Sequence, residues 1–375
     1  MTTTYDVCIR GSGSVGSALA LMLARLRLRV ALVGTPPPAN DVRAFALNAS
    51  SQATLNELRC WPGPAHATPV LSMHVWGDQG GDLRFDAPQG TCLNHIVDVP
   101  ALEKLLQEAV GFQQYIERIE QPVDAALTVI CEGKNSFTRQ ELGIDFDAFP
   151  YAQHAIATRV RCEQPHQQQA FQWFSQSSHA LSILALLPLG GPQGDEVAVV
   201  WSLPNEQAHR LYDISDEAFA NELSQACQHR LGSFQLCAPK SKWPLQTAQA
   251  KQWSGRFANG HSWVLAGDAA HTVHPLAGMG LNLGLADAQA LASTLAQREG
   301  KDYWRSVGDP SLLRQYERAR KAGLWPTWIA CDGLQRLFSH SQPLAQSFRN
   351  WGMSSFNQLT FLKQWTVHQA MNPSF

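Results

Sequence analysis

The chain has 375 residues, of which 45% are hydrophobic, and a formal net charge of −2. That is room for two globular domains, and the balance excludes the strongly basic character of a nucleic-acid binder. The eight cysteines, Cys8, Cys60, Cys92, Cys131, Cys162, Cys227, Cys237 and Cys331, are scattered without a C-x-x-C pair, which speaks against a zinc site and a disulfide framework and for a reducing cytoplasm.

Strand-like residues begin almost at once, leaving no room for a signal peptide, and the most apolar stretch, 18–34, is broken by Arg25, Arg27 and Arg29; a soluble, cytoplasmic protein is expected. Val7, Cys8 and Ile9 form a short apolar run, Gly11, Gly13 and Gly16 follow, and apolar residues then recur at helical spacing from 18 to 28, before a second apolar run at 30–33. Strand, glycine turn, helix and strand in that order form a dinucleotide-binding unit, so Gly11, Gly13, Val15 and Gly16 are candidate cofactor-binding residues. In that geometry Gly11 makes the tight turn, Gly13 admits a diphosphate, and Gly16 lets the helix pack closely. Two positions depart from the usual pattern: Arg27 stands where a helix C-cap glycine is common, and Gly34 stands where a carboxylate would bind an adenosine ribose.

Further along, 100–110 reads as a helix, and 111–126 connects it to the strand "LTVI". Strand patterns such as "LSILALLPL" and "VAVVWSL" fill 159–255, with a helical period at 216–231 expected to pack beneath the sheet. A basic amphipathic helix starts at 312–322, and the tail from 343 onward reads as one or two more helices. Most of the 12 tryptophans lie beyond residue 170, where core filling is the default reading.

The stretch 262–296, "SWVLAGDAAHTVHPLAGMGLNLGLADAQALASTLA", carries the second motif. Asp268, at a strand end, is placed to bind a polyol hydroxyl. Pro275, Gly278, Met279 and Gly280 shape a tight loop, and Leu281 and Asn282 open a helix whose N–H groups face an acceptor. A flavin ring reduced at N1 carries negative charge that such a helix N-terminus favours, a need NAD does not have. His271 and His274, three apart in a glycine loop without clustered acids or cysteines, are not read as metal ligands.

These segments resemble the FAD-dependent aromatic hydroxylases of the para-hydroxybenzoate hydroxylase class, and more closely the ubiquinone-biosynthesis hydroxylases. "GDAAHTVHPLAGMGLNLGLADA" is nearly that family's signature, and "DVRAFALNASSQATLNEL", "LALLPLG", "VAVVWSLP" and "LRQYERARK" resemble other parts of it. The resemblance implies an α/β fold in which a Rossmann-like FAD-binding domain (1–65, 90–158 and 256–300) is interleaved with a mixed β-sheet substrate domain (66–89 and 159–255), followed by C-terminal helices (301–375). By analogy Arg43 lies near the FAD diphosphate or ribityl chain, and the strand through Leu186, Leu187 and Pro188 covers the flavin.

The activity implied is O2-dependent hydroxylation of a phenolic ring, with or without a prenyl tail, in ubiquinone biosynthesis. NAD(P)H is at most a transient reductant, and peripheral association with the inner membrane face or a biosynthetic complex is left open. No general base is named by spacing. Against the family pattern, Glu132-Gly133 replaces Asp-Gly ahead of Arg139, and 111–126 is shorter than the family's β-meander. Together with Gly34 these departures point to weak or exchangeable FAD binding. They also support a rival reading, a catalytically weakened or inactive flavoprotein-like accessory subunit; an NAD-dependent dehydrogenase leaves the second motif unexplained.

Overall fold

The structure, a computed structural model, describes residues 5–36, 41–77, 81–177, 180–273, 279–301 and 304–339. In chain order the first elements are β1 (Tyr5–Arg10), α1 (Ser14–Arg25), β2 (Val30–Val33), β3 (Ala44–Leu47), α2 (Ala49–Glu57) and β4 (Ala67–Val70). Next come β5 (Ser72–Trp76), β6 (Asp82–Asp86), β7 (Asn94–Asp98), α3 (Val99–Gly111), β8 (Ile116–Ile119), β9 (Ala125–Ile130) and α4 (Phe137–Glu141). The middle of the chain forms β10 (Phe146–Cys162), β11 (Gln169–Ser177), β12 (Ala180–Leu189), β13 (Glu196–Pro204), α5 (Asn205–Asp213) and α6 (Asp216–Ala226). The last elements are β14 (Phe234–Leu236), β15 (Ser241–Ala250), β16 (Ser254–Arg256), β17 (Ser262–Leu265), β18 (His271–Thr272), α7 (Gly280–Lys301) and α8 (Pro310–Ser339).

One sheet runs β16-β17-β9-β1-β2-β8 and is parallel except for β16, with Val7 opposite Val30 on one side and Leu127 on the other. Its inner strands β17, β9, β1 and β2 carry apolar runs, and Val7, Ile9, Val30, Leu32, Leu127 and Val129 share one core with Leu19, Leu23, Leu102 and Leu283 of the helices. Helix α1 ends in a Schellman turn, with Leu28 N–H reaching Leu23 O and Arg27 N–H reaching Ala24 O. Arg27 takes the left-handed conformation there at φ 55°, so the position keeps the geometry a glycine would give but bears the cost of a side chain.

The second sheet runs β18-β15-β10-β13-β12-β11-β5-β6, with β14 added against β10. Helices α5 and α6 pack on one of its faces through Leu211, Phe219 and Leu223, as the helical period at 216–231 predicts. A third sheet, β3-β7-β4, lies between the other two; the expected boundaries differ from these pairings in two places. Strand β4 pairs with β7 rather than joining the large sheet, and β10 is one strand across the expected 158/159 boundary. The 111–126 segment holds the single strand β8, paired with β2. The helices expected from 343 onward lie outside the described residues. Trp173, Trp201, Trp253 and Trp263 are core residues, as the default reading expects.

Candidate active site

The glycine turn after β1 closes on two sides and opens on one. A Cβ at Gly11, whose φ is 113°, would lie 2.3 Å from Cys131 O, and one at Gly16 would lie 1.9 Å from Gly11 O. At Gly13, the N-cap of α1, a Cβ would meet nothing within 4 Å. Helix α1 starts there with no capping side chain and no acidic residue in its first turn, so its free N–H groups and positive dipole end face open space. Val15 packs its methyl groups under Gly267 and Gly284, joining the first glycine turn to the second motif.

Gly34 has a specific local cause. Its φ is 139°, and a Cβ would lie 2.8 Å from Ser12 Oγ and 3.0 Å from Ser12 N. Ser12 in turn donates to Thr35 O at 2.7 Å, stapling the β1 turn to the end of β2. A carboxylate side chain cannot occupy this position without dismantling that staple.

Asp268 lies in a single 3-10 turn, Gly267–Ala269, at the end of β17. Its side chain keeps solvent access yet is set deep among protein atoms. Desolvation there raises its pKa, against the pull of His271, Arg43 and Lys134; the group faces a concave surface. The turn is held from below by Asp287, which is fully buried on α7. Asp287 Oδ2 accepts from Gly267 N–H at 2.8 Å and meets His271 Nε2 at 2.6 Å, while Oδ1 accepts from Arg320 Nε at 2.6 Å. Burial opposes the Asp287 charge, but His271 and Arg320 outweigh it and hold the carboxyl below the usual range. His271 also stacks on Trp253, 5.1 Å between centroids. It is thus an ion-pair and packing residue, and among the described residues no cluster suited to a metal ion is present.

Arg43 lies just before β3, and its segment is anchored by Arg159 of β10, which donates to Val42 O at 3.1 Å and to Arg43 O at 3.3 Å. The Arg43 guanidinium pairs with Asp41 through Nε and Nη2. Burial works against its charge, yet Asp41, Glu103 and Asp268 raise its pKa, so it sits among three acids at the mouth of the cleft. Gly280 opens α7 with nothing within 4 Å of a Cβ. Leu281 sends its side chain into the core. Asn282 is buried and ties α7 to the segment after β3: Oδ1 accepts from Asn48 N–H at 3.0 Å and Ser51 Oγ at 2.7 Å, and Nδ2 donates to Ala46 O at 2.7 Å. Pro275 and Gly278 lie outside the described residues.

Met279 and Asn282 form one end of a cavity of about 380 Å3, within the range of small-molecule sites. Its walls are chiefly apolar, contributed by the inner face of the large sheet and by β3 and β7, with Ala157, Leu187, Ala198 and Ile96 among them. Leu187 lines it, whereas Leu186 faces the opposite core, as strand alternation demands. Asn94 Oδ1 is buried on this wall without a hydrogen-bond partner. Among the described lining residues Arg43 is charged and none is a carboxylate or a histidine.

The profile of the family described as FAD binding domain matches residues 111–327, more than half of the chain. The chain belongs to the FAD binding domain family. It is similar to the 3-demethoxyubiquinol 3-hydroxylase of Escherichia coli strain K12, 26% identical with 98% of each chain covered. It is also similar to the ubiquinone hydroxylase UbiL of Rhodospirillum rubrum, 28% identical with 98% of this chain and 89% of the relative covered. In fold it resembles the p-nitrophenol 4-monooxygenase PnpA from Pseudomonas putida DLL-E4, with a TM-score of 0.75 at 16% identity and 100% of each chain covered.

The residues of this FAD binding domain fit the cofactor. The empty direction at Gly13 above an uncapped helix suits a diphosphate, Asp268 suits a polyol hydroxyl, and Met279 and Asn282 border the apolar cavity. Glu132 is committed elsewhere: it accepts from Ser136 Oγ, Thr138 N–H and Thr138 Oγ1 and pairs with Arg10, bracing the start of α4; burial opposes its charge, but these partners hold it ionised. Arg139 lies over the Phe146 ring at 3.6 Å and donates to Ala269 O, which braces the Asp268 turn. Four contributors were not foreseen: Ser12, Asn94, Glu103 and Arg320. Of these Arg320 carries a signal, a basic residue on the inward face of the "LRQYERARK" helix; the others need the tertiary fold.

Proposed function

We propose that this chain is an FAD-dependent monooxygenase that hydroxylates a phenolic, prenylated ring in ubiquinone biosynthesis. The observation that carries the reading is the apolar cavity that ends on Met279 and Asn282, beside a cleft built for a dinucleotide. When bound, FAD supplies the reduction of O2 and the transfer of one oxygen atom to an electron-rich ring.

The chain's own part is to bind, orient and exclude water. Gly13, the first turn of α1 and Arg43 hold the diphosphate, Asp268 the ribityl chain, and the backbone at Gly280 and Leu281 the flavin edge. Asn94 Oδ1 accepts the phenol O–H, drawing electron density onto the ring without removing the proton. That suits a cavity with no carboxylate or histidine among its described lining residues. The alanine, valine and leucine walls fit a prenyl substituent and keep water from the reacting ring.

NAD(P)H enters the proposal as a transient reductant. A prenylated substrate is delivered from lipid, so peripheral association with a membrane or a biosynthetic complex belongs to the same reading. Among the described residues no helix is long and apolar enough to cross a membrane.

The test is purified protein supplied with FAD, NAD(P)H and a prenylated phenol. Flavin absorbance together with a product one oxygen atom heavier supports the reading. Protein that stays colourless with added FAD overturns it, as does a gene deletion that leaves no quinone precursor accumulating.

A further inference from the structure

Glu103, on α3, is 7% exposed, and its carboxyl stands against the start of α1. Oε1 accepts from Ser14 Oγ at 3.0 Å, Ser14 being the first residue of that helix. Oε2 is buried and has no hydrogen-bond partner. An unpaired buried oxygen is costly, and the carboxyl that carries this one is held at the first turn of the uncapped helix α1. One turn further along α3, Gln107 Nε2 donates to Ser12 O at 2.8 Å, and its Oε1 is likewise buried and unpartnered.

The charged groups that face Glu103 come from the segment ahead of β3: Arg43, which favours its ionised form, and Asp41, which disfavours it. Asp268 acts on Arg43 from the other side of the cleft. Arg43 is already shared among Asp41, Glu103 and Asp268, so a diphosphate entering here adds negative charge to a site that holds three carboxyl groups.

We propose that Glu103 is a cofactor-positioning residue that meets the FAD diphosphate in its protonated form, donating a hydrogen bond through Oε2, so that FAD binds with uptake of one proton from solvent. The proposal rests on the FAD reading of the cleft. An ionised Glu103 can only accept and would oppose a phosphate; the neutral acid donates. Desolvation already raises the Glu103 pKa, against the pull of Ser14 and Arg43, and a bound diphosphate acts in the same direction.

The test is titration of FAD into flavin-free full-length protein, followed by flavin fluorescence, in buffers from about pH 5 to about pH 9, because burial moves a carboxyl upward from its ordinary value. In the native chain affinity falls with rising pH, approaching about tenfold per pH unit for a single linked proton. Glu103→Gln keeps a donor at every pH, so it binds FAD without this dependence and at least as tightly at the upper pH as the native chain. Ser14→Ala removes a hydrogen bond that favours the ionised form, so the fall-off moves to higher pH.

Affinity independent of pH in the native chain, or an unchanged dependence in Glu103→Gln, overturns the proposal. A dependence arising at Asp268, whose pKa burial also raises, would persist in Glu103→Gln and so counts against Glu103. Failure of all three proteins to bind FAD at any pH overturns the FAD reading itself, an outcome separate from pH-independent binding.

Discussion

Arg320 Nε donates to Asp287 Oδ1 at 2.6 Å with both side chains almost fully buried, 3% and 0% exposed, and so anchors α8 to α7. The other carboxylate oxygen takes Gly267 N–H and His271, which fixes the turn presenting Asp268. Breaking a buried pair from one side strands the other charge, so Arg320→Leu is expected to cost about 3–5 kcal/mol in a urea unfolding curve. Weaker FAD binding accompanies the loss, because the Asp268 turn loosens.

The same carboxylate sets an acid limit. The folded-state pKa of Asp287 is depressed, so its contribution to stability is present above the unfolded value of about 4 and is lost as pH falls through the folded one. Acid unfolding followed by circular dichroism should therefore lose this contribution in Asp287→Asn. A variant with the native acid profile would show that the triad does not carry it.

Gly34→Asp tests the idea that a ribose carboxylate is simply missing. With φ at 139° and Ser12 Oγ 2.8 Å from the new Cβ, the substitution is expected to destabilise the fold by about 1–3 kcal/mol and to leave FAD affinity no tighter. Tighter binding at unchanged melting temperature would show that the turn can rearrange to use an acid there.

Gly13 and Gly16 should separate binding from folding. Gly13→Ala places a methyl in space the protein leaves empty, so melting of the flavin-free protein is unchanged while FAD affinity falls by about tenfold or more, roughly 1.4 kcal/mol. Gly16→Ala drives a methyl into Gly11 O and is expected to cost about 3 kcal/mol or more in stability. Equal effects of the two on melting would contradict the open side of the turn.

Asn94→Leu fills the wall with a residue of similar size and removes the acceptor. Loss of one hydrogen bond of about 1–1.5 kcal/mol should raise KM for a phenolic substrate roughly tenfold. The methyl ether of that substrate, which lacks the donor, should discriminate little between native and variant proteins.

Elements that announce themselves locally were legible in the sequence. Continuous apolar runs marked β1, β2, β9 and β17, three glycines at fixed spacing marked the turn into α1, and the Gly267 to Asp287 stretch marked the second motif. What stayed hidden depends on partners distant along the chain. The sequence places Asn282 at the start of a helix whose N–H groups face an acceptor; it does not show that the side-chain amide bonds to Ala46, Asn48 and Ser51, more than 230 residues earlier. Glu103 reads as one more polar residue on an amphipathic helix until folding brings Ser14 against it. Gly34 looked like a missing acid because the competing demand, close approach of Ser12, belongs to another strand. Nor can periodicity show that β10 is a single strand of the large sheet on both sides of the expected 158/159 boundary, since its partners β13 and β15 lie far along the chain.

The hydrogen bonds of Asn282 make the first turn of α7 and the wall formed by Ala46 and Asn48 one mechanical piece. Pressure applied by an occupant of the cavity at that wall is transmitted to the first turn of α7, which the proposed function sets against the flavin. Substrate occupancy is therefore expected to be visible as colour: adding a phenol that is not turned over should shift the flavin absorption bands, and Asn282→Ala should uncouple the two.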